Sequence, residues 1–305
     1  MGGVFFYANE GSRRSQSEFP SAEGALFAAG LELAESRLCS SFEEMRALVE
    51  SRVAGGAKAV IVGGGDGTLG SVAGLFAGSK TVFGVMPLGT GNQFARESGI
   101  PQDLAGAAQT LAQGRVARLD MGVCSGRPFL TVATVGLTTD IARGLQGKGI
   151  LGKASYGPAV VSAIRKAKPF EVEIVGERET ISGEMIQVVV CNGRTHAGPF
   201  LASPDATVTD GQFDVYAVKP IDVGHMIGAS VLALAGKHTE TEEVDWMKTD
   251  RLVLQTNPQL PVVIDGEESW FDVLEFSMRP GVLRTLVGPG LRVPQNRLDD
   301  WSWAQ

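Results

Sequence analysis

The residues Gly63-Gly64-Gly65-Asp66-Gly67-Thr68 stand between an apolar, β-branched run, "KAVIVG", and a stretch with helical spacing, "TLGSVAGLFA". Glycines permit positive φ angles and let a backbone approach a ligand closely. Successive N–H groups at a strand–helix junction, backed by a helix N-terminus, make an anion site. The segment therefore predicts a phosphate-binding loop. Asp66 adds a condition, because a carboxylate beside a polyphosphate is repelled unless a cation stands between them. An acid here points to Mg2+, held directly or through water. The other reading of Asp66 is an Asx turn or a helix N-cap. The loop lacks Gly-Lys-Ser/Thr, which excludes a Walker-type P-loop. Gly65 to Gly70 does fit G-x-G-x-x-G, but the next acid after Asp66 is Glu97. A dinucleotide site wants its ribose-binding acid about 20 residues on.

A second loop follows one strand later, in "PLGTGNQFARESGIP". Gly89 and Gly91 flank Thr90, and Asn92 can cap the helix "QFARES". Two such loops on one sheet could clamp opposite sides of one polyphosphate. Farther on, Asp265 and Glu267 lie two apart in "VIDGEES". On an extended strand they share a face, and ionising one would raise the pKa of the other. A carboxylate within reach of a hydroxyl is a general base. Asp-Gly is equally a hairpin signal, so a plain turn stays open on these residues alone. The histidines (His196, His225, His238) are dispersed, and no zinc-type spacing occurs.

The elements that position these residues alternate in the first part of the chain. Strands are expected at "GVFFYA", "KAVIVG" and "TVFGVMP". Helices are expected at "SAEGALFAAGLELAE" with Ser21 as N-cap, and at "SFEEMRALVESRVA" with Ser41 and Glu44 spaced as a capping box. Further helices are expected at "TLGSVAGLFA", "NQFARES" and "DLAGAAQTLAQG". This βα alternation predicts a parallel sheet covered on both faces, which binds ligands outside the carboxyl ends of its strands. After "RVARLDMGV" short β-rich runs separated by Gly, Pro, Asp and Asn predict an antiparallel β-sandwich, interrupted by helices near "YGPAVVSAIRKA" and "GHMIGASVLALAG". The expected organisation is an α/β domain over residues 1–121 and a β-sandwich domain over 122–287. A tail, 288–305, carries Trp301 and Trp303, which favour docking on the first domain.

The length of 305 residues suits two domains. A net charge of -7 argues against nucleic acid as a partner. The apolar runs are too short to span a bilayer, and no basic region precedes the first of them, so a secretory signal is not expected. Three scattered cysteines (Cys39, Cys124, Cys191) suit a reducing compartment, and a cytoplasmic protein is predicted. Between Asp140 and Glu171 stand Arg143, Lys148, Lys153, Arg165, Lys166 and Lys168 with no acid among them. This cationic run predicts peripheral contact with an anionic membrane face, the inner one for a cytoplasmic chain. Its alternative is a solvated helix face.

"VGGGDGT" followed by "PLGTGNQFAR" resembles the diacylglycerol kinase catalytic family, which includes bacterial lipid kinases, sphingosine kinases and ceramide kinases. "GKASYGPAVVSAIRKAKPFEVEI", "SPDATVTDGQFDVYAV", "LPVVIDGEES" and "FSMRPGVLRTLVGP" continue the resemblance through most of the chain. It implies an NAD-kinase/diacylglycerol-kinase-like fold of two domains, with ATP and Mg2+ as cofactors and a lipid hydroxyl as phosphate acceptor. By position it implies that Gly63, Gly64, Gly65, Gly67 and Thr68 hold the ATP phosphates. Gly89, Thr90 and Asn92 of the second loop would join them, and Asn9 and Ser12 of the first motif would meet the nucleotide. Asp66 would act through Mg2+ or its waters, supported by Asp120. Glu267 would be the general base with Asp265 beside it. Asp210 would hold a structural Mg2+ with the carbonyls of Thr207 and Gln212. Two positions depart from the family pattern. Gln93 stands where the family often has Asp, and Asn9-Glu10-Gly11-Ser12-Arg13 replaces Asn-Pro-x-Ser-Gly, although Arg13 or Arg14 could reach a phosphate. A small-molecule kinase acting on NAD, and a nucleotide-binding regulator without turnover, remain alternatives. A homodimer is compatible with any of these.

Overall fold

The computed structural model describes residues 2–11, 13–137, 167–196, 200–201, 206–220 and 243–303. In chain order the first elements are β1 (Val4–Asn9), α1 (Arg13–Ala28), β2 (Leu33–Cys39), α2 (Phe42–Ala54), β3 (Ala59–Gly64) and α3 (Asp66–Phe76). They are followed by β4 (Val82–Pro87), α4 (Gln93–Glu97), α5 (Leu104–Ala112) and β5 (Val116–Cys124). Then come β6 (Arg127–Phe129), β7 (Val132–Gly136), β8 (Phe170–Gly176), β9 (Thr180–Met185), β10 (Gln187–Cys191), β11 (Thr195–His196) and β12 (Phe200–Leu201). The last are β13 (Phe213–Val218), β14 (Val244–Thr249), β15 (Arg251–Asn257), β16 (Val262–Ile264), β17 (Glu267–Ser269), β18 (Leu274–Leu286) and β19 (Leu298–Asp299).

The chain divides into two units. One comprises Met1–Met121, Thr207–Gly211 and Arg279–Gln305, the other Gly122–Ala206 and Gln212–Met278. Residues 207–211 and 279–287, placed by the sequence in the second domain, thus group with the first, because their backbone bonds to β5. The N–H of Asp120 donates to Val208 O at 2.8 Å, and the N–H groups of Gly211 and Gly281 both donate to the Asp120 carboxylate.

In the first unit the order β2-β1-β3-β4 is parallel throughout. β3 and β4 are buried along their whole length, which explains why they read as unbroken apolar runs. The end of β18 lies parallel to β4 at Thr285 and Phe83. Phe19 of α1 stacks on Phe6 with ring centroids 4.9 Å apart, and Phe83 meets Phe76 at 4.5 Å. The helix expected to start at Ser21 begins at Arg13 and runs through Pro20. Burial of Phe19, Ala22 and Leu26 outweighs the backbone hydrogen bond that Pro20 removes. The same expectation carried the helix through Glu35, but Leu33–Cys39 is an edge strand. α2 starts as expected, with the Ser41 side chain accepting from Glu44 N–H; the Glu44 carboxylate reaches back to Ser40 instead of Ser41.

The tail lies on this unit. β19 pairs with β5, Arg284 grips Asp299 with two nitrogens at 2.9 and 3.0 Å, and Trp303 Nε1 donates to Leu111 O at 3.1 Å.

Among its described residues the second unit contains two large antiparallel sheets and the short antiparallel pair β11-β12. The first part of β18 pairs with β15, β15 with β8 and β8 with β9, while the other sheet runs β14-β13-β10-β7-β16-β17. Inward residues of both sheets (Ile174, Leu252 and Phe276 from one; Val190, Phe213 and Ile264 from the other) form one core. β9 (Met185 apart), β11, β12 and β14 lie outside the β-rich runs that the sequence predicts. The helices expected near Tyr156 and His225 lie outside the described residues, as does the cationic run apart from Lys168. No helix among the described residues is long and apolar enough to cross a membrane.

Candidate active site

The parallel register sets Ala8 beside Gly63, Gly63 beside Met86 and Gly64 beside Pro87. The loops after β1, β3 and β4 therefore leave the sheet side by side at its carboxyl end. Gly65 is the N-cap of α3, and the first helical bond runs from Leu69 N–H to Gly65 O at 3.0 Å. The N–H groups of Asp66, Gly67 and Thr68 precede any helical acceptor, which is the donor set an anion needs.

None of Gly63, Gly64, Gly65, Gly67, Gly89 or Gly91 has a positive φ. Their use is room. A Cβ on Gly63 would lie 2.7 Å from Leu88 Cδ1, one on Gly64 would lie 2.8 Å from Thr68 Cβ, and one on Gly89 would run into Gly65 Cα. Gly63 and Gly64 are buried strand residues that let β3 pack, and the accessible part of the loop begins at Gly65. The two glycine loops touch at Gly65 and Gly89.

Side chains then lock one loop to the other. Asp66 Oδ1 accepts from Phe94 N–H at 2.9 Å, so an acid of the first loop caps α4 at the end of the second. The sequence had assigned that cap to Asn92. Asn92 takes φ 49°, which turns its side chain back: Oδ1 accepts from Gly89 N–H and Nδ2 donates to Gly89 O, both at 2.8 Å. Arg14 Nη1 donates to the same Gly89 carbonyl, and Arg96 Nε donates to Gly91 O at 3.3 Å. Two guanidinium groups thus flank the second loop. Arg96 escaped the sequence reading, and its only signal was its place four residues after Asn92. Thr90 is exposed at the tip between Gly89 and Gly91. Asn9 is buried at the end of β1, and its Oδ1 accepts from Gly11 N–H at 2.9 Å, so it shapes the first loop. Ser12 and the Arg13 side chain lie outside the described residues.

The metal expectations separate on this geometry. Asp66 keeps its carboxylate half-buried in the glycine loop with one oxygen on Phe94 N–H, which fits an acid facing the Mg2+ that accompanies ATP. The Thr207–Asp210 turn is different. Thr207 N–H donates to Asp210 Oδ2 at 3.2 Å and Asp210 N–H donates to Thr207 O at 3.3 Å, so both expected ligands are engaged with each other. Asp120 is fully buried and holds Gly211 N–H, Gly281 N–H and the Arg297 guanidinium. Among the described residues no group of three or more His, Cys, Asp or Glu is arranged to hold a metal. The turn offers one exposed carboxylate, Asp210, and the Arg297 guanidinium lies against its Gly211.

In the second unit, β16 and β17 form a hairpin in which Ile264 faces Glu267 across the two-residue turn Asp265-Gly266. Both turn residues have positive φ, 47° and 90°, as a primed turn requires. The expectation that Asp265 and Glu267 share a strand face is therefore corrected. Asp265 turns inward and is buried, while Glu267 stands at the surface in an ion pair with Arg127, whose guanidinium also donates to Ser269 Oγ. Asp265 accepts from the N–H groups of Leu130, Thr131 and Val132 at 2.7, 2.9 and 3.2 Å, and from the Thr131 hydroxyl at 2.5 Å. Burial pushes its carboxyl up to about 6, against the pull of these donors, and Glu267 is not the cause.

The sign of this shift gives a test. Between pH about 4 and 6 the folded state keeps a proton that the unfolded chain has lost, so this group's contribution to stability falls as pH rises through that window, by on the order of 3 kcal/mol in all. Asp265→Asn removes the ionisation and turns an NH2 toward N–H donors. Urea unfolding should show a deficit of about 1–3 kcal/mol at pH 7 that widens toward pH 4.5. A deficit that narrows on acidification would mean that the four donors, not burial, govern this carboxyl.

A parallel sheet closed by two glycine loops, in a chain whose second unit is an antiparallel sandwich, is a scaffold able to hold a phosphate group at the start of α3. Residues 3–124 match the family model described as "Diacylglycerol kinase catalytic domain", and residues 132–287 match "YegS C-terminal NAD kinase beta sandwich-like domain". The chain belongs to this diacylglycerol kinase and YegS-like lipid kinase family. It is 31% identical over 286 residues to "Probable lipid kinase YegS-like" of Pseudomonas aeruginosa, covering 92% of this chain and 93% of the relative. It is 29% identical over 213 residues to "Diacylglycerol kinase" of Bacillus subtilis, covering 68% and 70%. A crystal structure described as a diacylglycerol kinase from Bacillus anthracis superimposes with a TM-score of 0.73 at 19% identity, covering 95% of this chain and 98% of that one. That likeness shows the fold.

Proposed function

We propose that this chain transfers the γ-phosphate of ATP to the hydroxyl of a diacylglycerol-like lipid, with Mg2+. The observation that carries the reading is the bond from Asp66 to Phe94 N–H that ties the two glycine loops together, while Asn92 folds the second loop onto Gly89, so that the first N–H groups of α3 and the Arg14 guanidinium are presented together. Those donors bind the phosphates and hold them in one orientation, which is most of what phosphoryl transfer asks of a protein. Mg2+ entering with ATP supplies charge neutralisation, and Asp66 is the acid placed to meet it. Glu267 takes the proton of the acceptor hydroxyl as its oxygen bonds to the γ-phosphorus and the bond to the β–γ bridging oxygen breaks, releasing ADP. The Asp265-Gly266 turn and the Arg127 fork orient Glu267 for that step.

The test is transfer of labelled γ-phosphate from ATP to diacylglycerol, monoacylglycerol, sphingosine and ceramide in mixed micelles, with NAD as a further acceptor. Label on a lipid supports the reading, and label on NAD alone replaces it with the small-molecule kinase. Gln93 bears on the metal. Gln93→Asp adds a charge at the start of α4 and should lower the Mg2+ concentration for half-maximal activity roughly fivefold, about 1 kcal/mol for a carboxylate roughly 8 Å from a divalent ion in a water-like dielectric. An unchanged Mg2+ dependence would put this position outside the metal's reach.

A further inference from the structure

The carboxylate of Asp120 is buried to 0% exposure, and a buried charge requires a countercharge. Arg297 supplies it, with Nη1 at 3.0 Å from Asp120 Oδ1. This arginine belongs to the tail, ten residues past residue 287, where the family match ends. Its seat is shaped for it. Gly281 has φ +61°, and any Cβ there would run into Arg297 Nη1. The guanidinium also lies against the 207–211 turn, since a Cβ on Gly211 would be 3.9 Å from Arg297 Nη2. Around one carboxylate the arginine therefore gathers β5, the 207–211 turn and the Pro280-Gly281 bend of β18. This is the place for which the family resemblance implies a structural Mg2+.

We propose that Arg297 is the cation of this joint, and that the tail guanidinium takes the place of a divalent metal. A guanidinium gives Asp120 a full charge and a planar fork, and it is less strongly hydrated than an ammonium, so it suits a dry site. A divalent ion at Asp210 would be set against this positive charge, which lies against the next residue, Gly211. Thr207 and Asp210 also bond to each other across their turn, which helps the segment to close.

The experiment uses the full chain without nucleotide. Its melting temperature should be the same in EDTA and in millimolar MgCl2, and elemental analysis after gel filtration should find no retained magnesium or calcium. Arg297→Met, which keeps length and removes charge, should lower the melting temperature by roughly 5–15 °C, as expected for one partner lost from a buried pair. Arg297→Lys should lose less. A wild-type chain that gains several degrees with Mg2+ over EDTA, or that retains one magnesium per chain, overturns the proposal. So does an Arg297→Met variant as stable as the wild type. If the variants do not fold, the wild-type comparison still decides. None of these readouts depends on kinase activity.

Discussion

Glu267→Gln is expected to lower kcat for lipid phosphorylation by about 10²–10⁴-fold while ATP binds as before. Glutamine keeps the shape and hydrogen-bonding reach of the side chain but cannot accept the hydroxyl proton. Glu267 lies at the surface of a hairpin, and its ion pair with Arg127 is half-exposed. Loss of that pair should change stability by less than about 1 kcal/mol. The expected loss is therefore chemical and not a failure to fold. Steady-state kinetics in lipid micelles, with ATP affinity measured by calorimetry, separate the two. A variant with wild-type kcat would remove Glu267 from the chemistry while leaving the glycine loops as a nucleotide site.

The second large effect belongs to those loops. Gly89→Ala places a methyl group against Gly65 Cα, with Asn92 Oδ1 at 2.7 Å and Gly65 N at 2.8 Å. Two of the three obstacles are backbone atoms, so no change of rotamer relieves the clash. The loops must part, which pulls Asp66 from Phe94 N–H, and the methyl group displaces Asn92 Oδ1 from Gly89 N–H within the second loop. Overpacking and two or three lost hydrogen bonds together cost about 2–4 kcal/mol. ATP affinity should fall by roughly 30–1000-fold. Gly24→Ala is the control, because nothing lies within 4 Å of a Cβ built there. Equal ATP affinities for the two variants would show that contact between the loops is not needed for nucleotide binding.

Strand, glycine run and helix were legible because hydrophobic period and glycine position are local properties. β3, α3, β4 and α4 accordingly fall where they were expected. What the loops do to each other was not legible. The bond from Asp66 to Phe94 joins residues 28 apart, and nothing in either segment names its partner. Asp66 does cap a helix, although the helix belongs to the other loop. At Asp265 the local pattern is ambiguous: Asp-Gly-Glu fits both a strand face and a hairpin, and the hairpin prevails because positive φ at Asp265 turns its carboxylate inward. The start of α1 was misplaced because Pro20 is a strong local signal and the burial of Phe19 is a tertiary one. β14 was missed because "VDWMKT" mixes charge with apolar residues on a short strand. The partnership of Arg297 with Asp120 lies beyond any local pattern.

The pairing of β18 with β4 has a consequence for the order in which the chain acquires its structure. Thr285 comes into register with Phe83 about 200 residues after Phe83 has been made. At synthesis rates of roughly 5–20 residues per second this is roughly 10–40 s during which the edge of β4 has no neighbour. The segments of the second unit emerge within that interval, and nearly all of them are complete before the last strand of the first sheet exists. The ribosome therefore delivers the inserted unit before the unit that contains it, and an unpaired β4 is the edge at which the nascent chain is most exposed to mispairing.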